Sequence, residues 1–292
     1  MELKRILVTG ATGYLGYHVV LELLKSEEYQ IYAIGGRPED KANPLPDNPR
    51  LKVFPLDSLF SEKWEIIDTV INCAFARSND PKLLADAIDF TEKEIKLFEE
   101  MRVKSVINIS SQGVYQRLSG GKLSSEDSPI EPIDLYSLAK YGCEKLFSIS
   151  SVPFVTNVRL ASLYMSQRFL HFFIQKAIKG ECFTVSAPNQ YASLLDVSDA
   201  ASGLAAIVRM APEHRAEVYN LGTGVQYSLL EYAEAVKEIG GGLGYHVLYD
   251  VVDGGSTLCA GMDCSRLIRD TGWKPVFLKN EMIVKLFNDL AV

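Results

Sequence analysis

Six apolar runs of strand length punctuate the first half of this chain: Arg5–Thr9, Gln30–Gly35, Leu51–Leu56, Thr69–Ala74, Ser105–Ser110 and Phe154–Leu160. Helix-patterned stretches lie between them at Tyr14–Ser26, around Leu83–Met101 and at Leu135–Ser150. Strands that are apolar throughout, rather than on alternate residues, must be covered on both faces. Strands separated by helices pair in parallel through crossover units. The expected fold class is therefore α/β, with a parallel sheet between two helical layers.

Beyond about Leu163 the alternation loosens. Arg168–Lys179 reads as a helix, Leu195–Arg209 as a buried Ala-rich helix, Val218–Leu221 as a strand and Ser228–Ile239 as a helix stopped by Gly240-Gly241-Gly242. These mark a second, smaller region interleaved with the first. The expected division is 1–163, joined by about 195–221, against 164–194 and 222–292. Two loops stand out: Arg37–Arg50, with four prolines, and Leu118–Pro132, long enough beside a candidate site to be functional.

The first apolar run ends in Gly10-Ala11-Thr12-Gly13-Tyr14-Leu15-Gly16 and opens a helix. Glycines there allow a tight turn, backbone approach to a pyrophosphate and close helix–strand packing, while the helix N-terminus offers unpaired N–H groups to phosphate. The second strand ends Gly35-Gly36-Arg37. An acid at this tip would grip the ribose hydroxyls of NAD. Space and a planar cation stand there instead, which favours NADP over NAD. Asp57, just after the third strand, is placed either to accept from an adenine amino group or to cap its own loop.

A serine pair, Ser110-Ser111, closes the fifth run, and Tyr136 stands four residues before Lys140. A second pair with the same spacing, Tyr141 and Lys145, is rotated about 140° around the helix, so both pairs cannot face one ligand. The distance to Ser111, and Pro132 just upstream, favour Tyr136 and Lys140. A phenol is a poor base at neutral pH, and a nearby ammonium favours its phenolate. Ser111 would hydrogen-bond a substrate oxygen, Lys140 would hold the cofactor ribose, and the cofactor would carry the hydride.

The whole set resembles the short-chain dehydrogenase/reductase family in its extended, NAD-dependent epimerase/dehydratase branch. The resemblance also rests on Ile109-Ser110-Ser111-Gln112-Gly113-Val114-Tyr115, Glu144, Arg159-Leu160-Ala161-Ser162-Leu163-Tyr164, Tyr219-Asn220-Leu221-Gly222, Asp263 and Gly272-Trp273-Lys274-Pro275. It implies a Rossmann-type doubly wound parallel sheet with a smaller, interleaved C-terminal substrate domain, a homodimer joined through helices, and a nucleotide-sugar substrate. On this resemblance Gly10, Gly13, Tyr14, Leu15, Gly16, Arg37, Asp57, Ser58, Ala74, Tyr136 and Lys140 would meet the cofactor. Ser111, Gln112, Ser162 and Arg168 would meet the substrate, with Ser111, Tyr136 and Lys140 catalytic.

The chain departs from the pattern at three points. Gln112-Gly113 stand where dehydratases carry acids, which disfavours sugar dehydration. Met165-Ser166 replace a usual glycine-proline. Ala192 occupies the place of an arginine that grips the diphosphate, so Arg168 or Lys179 would have to supply that cation. A 4-epimerase and a 4-ketoreductase both fit. A ketoreductase for a non-sugar carbonyl and a non-catalytic NAD(P)-binding sensor or scaffold are the alternatives.

Bulk properties narrow the field. A net charge of −7 argues against nucleic acid or an anionic membrane as partner. Five scattered cysteines without a C-x-x-C spacing, and four dispersed histidines, predict no metal site and a reducing, cytoplasmic setting. No apolar run is long enough to cross a bilayer.

Overall fold

The structure is a computed structural model that describes residues 3–35, 45–118, 121–166, 168–252, 254–255 and 261–291. Its centre is a seven-stranded sheet. In chain order the strands are β1 (Lys4–Thr9), β2 (Tyr29–Gly35), β3 (Leu51–Pro55), β4 (Thr69–Asn72), β5 (Ser105–Ser111), β6 (Phe154–Leu160) and a last strand, Val218–Leu221. The sheet order is β3-β2-β1-β4-β5-β6 followed by Val218–Leu221, and every pairing is parallel.

The pleat explains the layering. Along β1, Ile6 and Val8 join Ile31, Ala33, Ile71 and Ile107 on one face, with α1 (Tyr14–Leu24) and α5 (Val197–Arg209) contributing Val19, Val20, Leu23, Ala201 and Leu204 to the same cluster. Leu7 points the other way, with Tyr32, Ile34, Val70 and Val106, into a cluster completed by Ile95 and Phe98 of α2 (Pro81–Glu100) and Phe147 of α3 (Leu135–Ser148). Each such aliphatic side chain contributes roughly 1.5–3 kcal/mol relative to exposure. With both faces covered, the strands need no solvent-facing polar side, and polar residues within them such as Asn108, Asn157 and Arg159 are buried and hydrogen-bonded. β3 is the exception to the expected double burial: Lys52, Val53 and Pro55 are exposed on this edge strand of the described sheet.

A second core joins Tyr164, Leu170, Phe173 and Ile174 around α4 (Arg168–Ile178) to Tyr232 and Val236 of α6 (Leu229–Gly242) and to Ile283, Leu286 and Phe287 of α8 (Lys279–Leu290). Met262, Cys264, Leu267 and Trp273, around α7 (Ser265–Thr271), pack instead with the first core. The two cores are tied at α5: Asp199 accepts hydrogen bonds from Val276 N at 2.9 Å and Phe277 N at 2.7 Å, and Lys285 reaches Asp196 at 2.7 Å.

Two boundaries differ from expectation. Leu195 belongs to a short strand, Leu194–Leu195, and the helix starts at Val197, because Asp196 caps it by accepting from Ser198 N. Gly240-Gly241-Gly242 do not stop α6, which runs to Gly242. A Cβ on Gly240 would stand 2.7 Å from Val247 and 3.0 Å from Phe287, so close packing offsets the helix-propensity cost there. Among the described residues no helix is long and apolar enough to cross a membrane.

Candidate active site

Sheet order reverses between β1 and β4, where ligands of open α/β sheets bind beyond the strand ends. Here the two strand ends are joined by a hydrogen bond from Thr9 Oγ1 to Asn72 Oδ1 at 2.7 Å. The glycine turn sits on this crevice. Gly10 has φ +65°, and a Cβ on it would meet Ala74 N and the Cys73 carbonyl carbon at 2.9 Å. On Gly16 a Cβ would lie 2.2 Å from the Gly10 carbonyl oxygen. Gly13 caps α1 without a side-chain hydrogen bond, and the first turn of α1 carries no acid. The helix N-terminus is therefore left with unpaired N–H groups and a partial positive charge facing a cradle that any side chain would fill. This fits a dinucleotide pyrophosphate.

A cavity of about 740 Å³ opens from that turn. Gly10, Gly13, Tyr14, Leu15, Gly16, Ser111, Gln112, Tyr136, Lys140 and Ser162 all line it. Tyr136 and Lys140 share one face of α3, one turn apart, and α3 is fixed at its start by Asp134, whose Oδ1 accepts from Ser137 N at 2.8 Å. Ser111 ends β5 and accepts from Gly113 N at 3.1 Å. Gly113 lets the two elements meet: a Cβ on it would lie 2.2 Å from Ser137 Oγ. Gln112 Nε2 donates to Ser162 Oγ at 2.8 Å, while Gln112 Oε1 is buried without a hydrogen-bond partner among the described residues.

Tyr141 and Lys145 are absent from the cavity wall, and Lys145 folds over the Tyr141 ring instead. Asp57 and Ser58 stand in a 3-10 turn after β3, with Asp57 exposed, and neither lines the cavity. Ala74 lies between two lining residues, Cys73 and Phe75, and its N–H donates to Thr9 Oγ1. Arg37, on which the choice of NADP rested, falls outside the described residues. Arg168 opens α4, but its side chain is not among those described. Lys179 is exposed and does not line the cavity; among the described residues the cations that do are Arg77, Arg117 and Lys140.

Sequence reasoning missed three neighbours of Tyr136 and Lys140. The Lys140 ammonium lies 4.2 Å from the centre of the Phe75 ring, and Phe75 meets Tyr136 edge to face at 5.9 Å. Asn79 Oδ1 accepts from Tyr136 N at 3.0 Å. Burial pushes the Tyr136 phenol up, Arg77 draws it back and Asp134 adds to the rise. Burial pushes the Lys140 ammonium down to about 8. These neighbours come from the loop after β4 and carried no local motif. Their only signal was that this loop follows a strand beside β1.

A parallel doubly wound sheet with a glycine-cradled switch point and a Ser/Tyr/Lys cluster defines a dinucleotide-dependent oxidoreductase fold of the short-chain type. Residues 6–222 match the family described as NAD dependent epimerase/dehydratase, and the chain belongs to that family. It is 24% identical to the low-salt glycan biosynthesis protein Agl12 of Haloferax volcanii, over 92% of this chain and 93% of that one. It is also 24% identical to a putative UDP-glucose 4-epimerase of Methanocaldococcus jannaschii, over 97% of both. Its fold is similar to that of UDP-glucuronic acid 4-epimerase from Bacillus cereus, solved in complex with UDP-glucuronic acid and NAD. That match has a TM-score of 0.76 and 20% identity, covering 97% of this chain and 98% of the other.

Proposed function

We propose that this chain is an NAD-dependent enzyme that moves a hydride at the C4 carbinol or keto carbon of a nucleotide-sugar, with epimerisation the reading favoured over net reduction. The observation that carries this is the convergence of Ser111, Tyr136 and Lys140 with the Gly10–Gly16 turn in one cavity. NAD replaces the NADP expected from Arg37, supported by the NAD bound to the structural relative and by the family description.

When bound, the dinucleotide would supply the hydride acceptor and donor. The backbone of the glycine turn and the N–H groups of α1 hold its pyrophosphate, and Lys140 holds its ribose. Ser111 orients the sugar oxygen. Tyr136 takes the carbinol proton as the carbon is oxidised and returns it when the carbonyl is reduced. Arg77 and Arg117 take over the electrostatic role that Ala192 cannot fill.

The working unit is a homodimer joined through α2 and α3, supported by the exposed Leu83, Leu135 and Leu138 on those helices. The four described free thiols, Cys73, Cys143, Cys182 and Cys264, support a cytoplasmic setting.

The test is to release and identify the dinucleotide carried by purified protein, then follow UDP-glucose and UDP-glucuronic acid by NMR. Retained NAD and appearance of the 4-epimer without net cofactor change are the expected results. Consumption of a reduced cofactor with a 4-keto sugar would assign the reductase instead. Absence of both dinucleotide and turnover would refute the reading.

A further inference from the structure

A row of buried polar side chains crosses the sheet beside the cavity. Ser110 of β5, Arg159 of β6 and Asn220 of the last strand are register partners on three adjacent strands, and all three are buried. Glu144 reaches this row from α3, where it stands about two turns beyond Tyr136 and one beyond Lys140 on the same side of the helix. Its carboxylate accepts both prongs of the Arg159 guanidinium, Nε at 3.1 Å and Nη2 at 2.8 Å, and a hydrogen bond from Ser110 Oγ. Arg159 Nη1 donates to the Tyr115 hydroxyl at 2.8 Å and to the Glu126 carbonyl at 3.2 Å. Tyr115 donates in turn to Asn220 Oδ1 at 2.7 Å. Asn220 Nδ2 then donates to the carbonyls of Ser124 at 3.1 Å and Asp263 at 3.0 Å. Glu144, Arg159 and Asn220 do not line the cavity, whereas Ser110, Tyr115 and Ser124, which they hold, do.

A buried ion pair is a weak source of stability, because apolar side chains of similar volume often serve as well or better. What a rigid, planar fork supplies is geometry: it admits one placement of the carboxylate on one side and of the phenol and the loop carbonyl on the other. We propose that Glu144 and Arg159 form a positioning pair for the site: the fork fixes α3, and with it Tyr136 and Lys140, against the end of β5 that carries Ser111, and through Tyr115 and Asn220 it seats the 121–132 loop in the cavity wall. The chemical roles of Ser111, Tyr136 and Lys140 rest on the functional reading above; the placement of α3 and the loop does not. The long loop ahead of α3 thereby gains a task, since the same guanidinium holds both.

Two variants separate positioning from stability. Glu144→Leu combined with Arg159→Met replaces the pair by apolar side chains, and Arg159→Lys keeps the charge without the fork. The double variant should melt within a few degrees of the wild type. It should nevertheless turn over UDP-glucose or UDP-glucuronic acid on the order of 10²-fold more slowly, the loss that goes with about 1 Å of misplacement. Arg159→Lys should also lose turnover while binding NADH within a fewfold of the wild type. Full turnover in either variant, or a loss of turnover that only tracks the melting point, would overturn the proposal. Failure of both variants to fold would make the pair a stability element and would overturn it too.

Hydrogen exchange of the whole chain, with no ligand added, supplies the arm that needs no turnover. In Arg159→Lys the amides of α3 and of the 121–132 loop should exchange faster together, on the order of tenfold, while those of α1 stay as slow as in the wild type. Tyr115→Phe removes one hydroxyl on the loop side of the fork and should loosen the loop alone. A uniform change along the chain, or none in these two segments, would overturn the placement. A wild type that neither binds NADH nor turns over a nucleotide-sugar would count against the functional reading, and the exchange pattern would still decide the placement.

Discussion

Replacing Gly16 by alanine is the sharpest test of how the glycine turn works. The new methyl carbon would stand 2.2 Å from the Gly10 carbonyl oxygen, 2.8 Å from the Gly10 carbonyl carbon and 2.9 Å from Ala11 Cα. All three obstacles are backbone, so no side chain can swing aside. Reaching ordinary contact at 3.4 Å requires the turn and α1 to part by more than 1 Å. Overpacking of this kind costs about 1–3 kcal/mol. At roughly 2–4 °C per kcal/mol for a chain of this size, the unfolding midpoint should fall by about 2–12 °C. The same displacement moves the N–H groups that meet the pyrophosphate, and a misplacement of about 1 Å costs turnover on the order of 10²-fold. Differential scanning fluorimetry and NADH fluorescence titration measure the two effects. Gly241→Ala serves as control: no atom lies within 4 Å of its added Cβ, and it should hold or slightly raise the midpoint. A Gly16→Ala protein that melts with the wild type and binds NADH as tightly would refute the close-approach argument.

Other outcomes follow from the same geometry. Tyr136→Phe should lower turnover on the order of 10²–10⁴-fold while NADH binding stays within a fewfold; Tyr141→Phe should stay fully active, and the opposite pattern in steady-state kinetics would reverse the choice of pair. The reductive step needs both the Tyr136 hydroxyl and the Lys140 ammonium protonated. Since burial lowers Lys140 to about 8, the reductive rate should be present below that pH and fall as pH rises through it, whereas a pH–rate profile flat to 10 would count against this. Leu138→Glu adds a charge to an exposed apolar position of α3 and should convert a dimer to monomer in light scattering; an unchanged mass would move the interface elsewhere. Ser111→Ala should reduce turnover on the order of 10²-fold with little loss of NADH affinity by titration, while equal losses in both would make Ser111 a structural residue.

The amino-acid sequence by itself determined the features whose physics is local. Unbroken apolar runs separated by helices admit only a parallel, doubly covered sheet. Three glycines after a strand leave only a turn that accepts close backbone, and a four-residue spacing puts Tyr136 and Lys140 on one side of one helix. What only the tertiary structure decided depends on contacts between distant segments. Phe75 under Lys140, Asn79 at the start of α3 and the two arginines of the cavity wall come from loops that carry no pattern of their own. Gly240 stays helical for the same reason, since packing against Val247 and Phe287 outweighs the local preference of glycine to end a helix. Local propensity is a matter of fractions of a kcal/mol per residue, while burial of a side chain or a charge is worth several, so the fold settles whatever the two dispute.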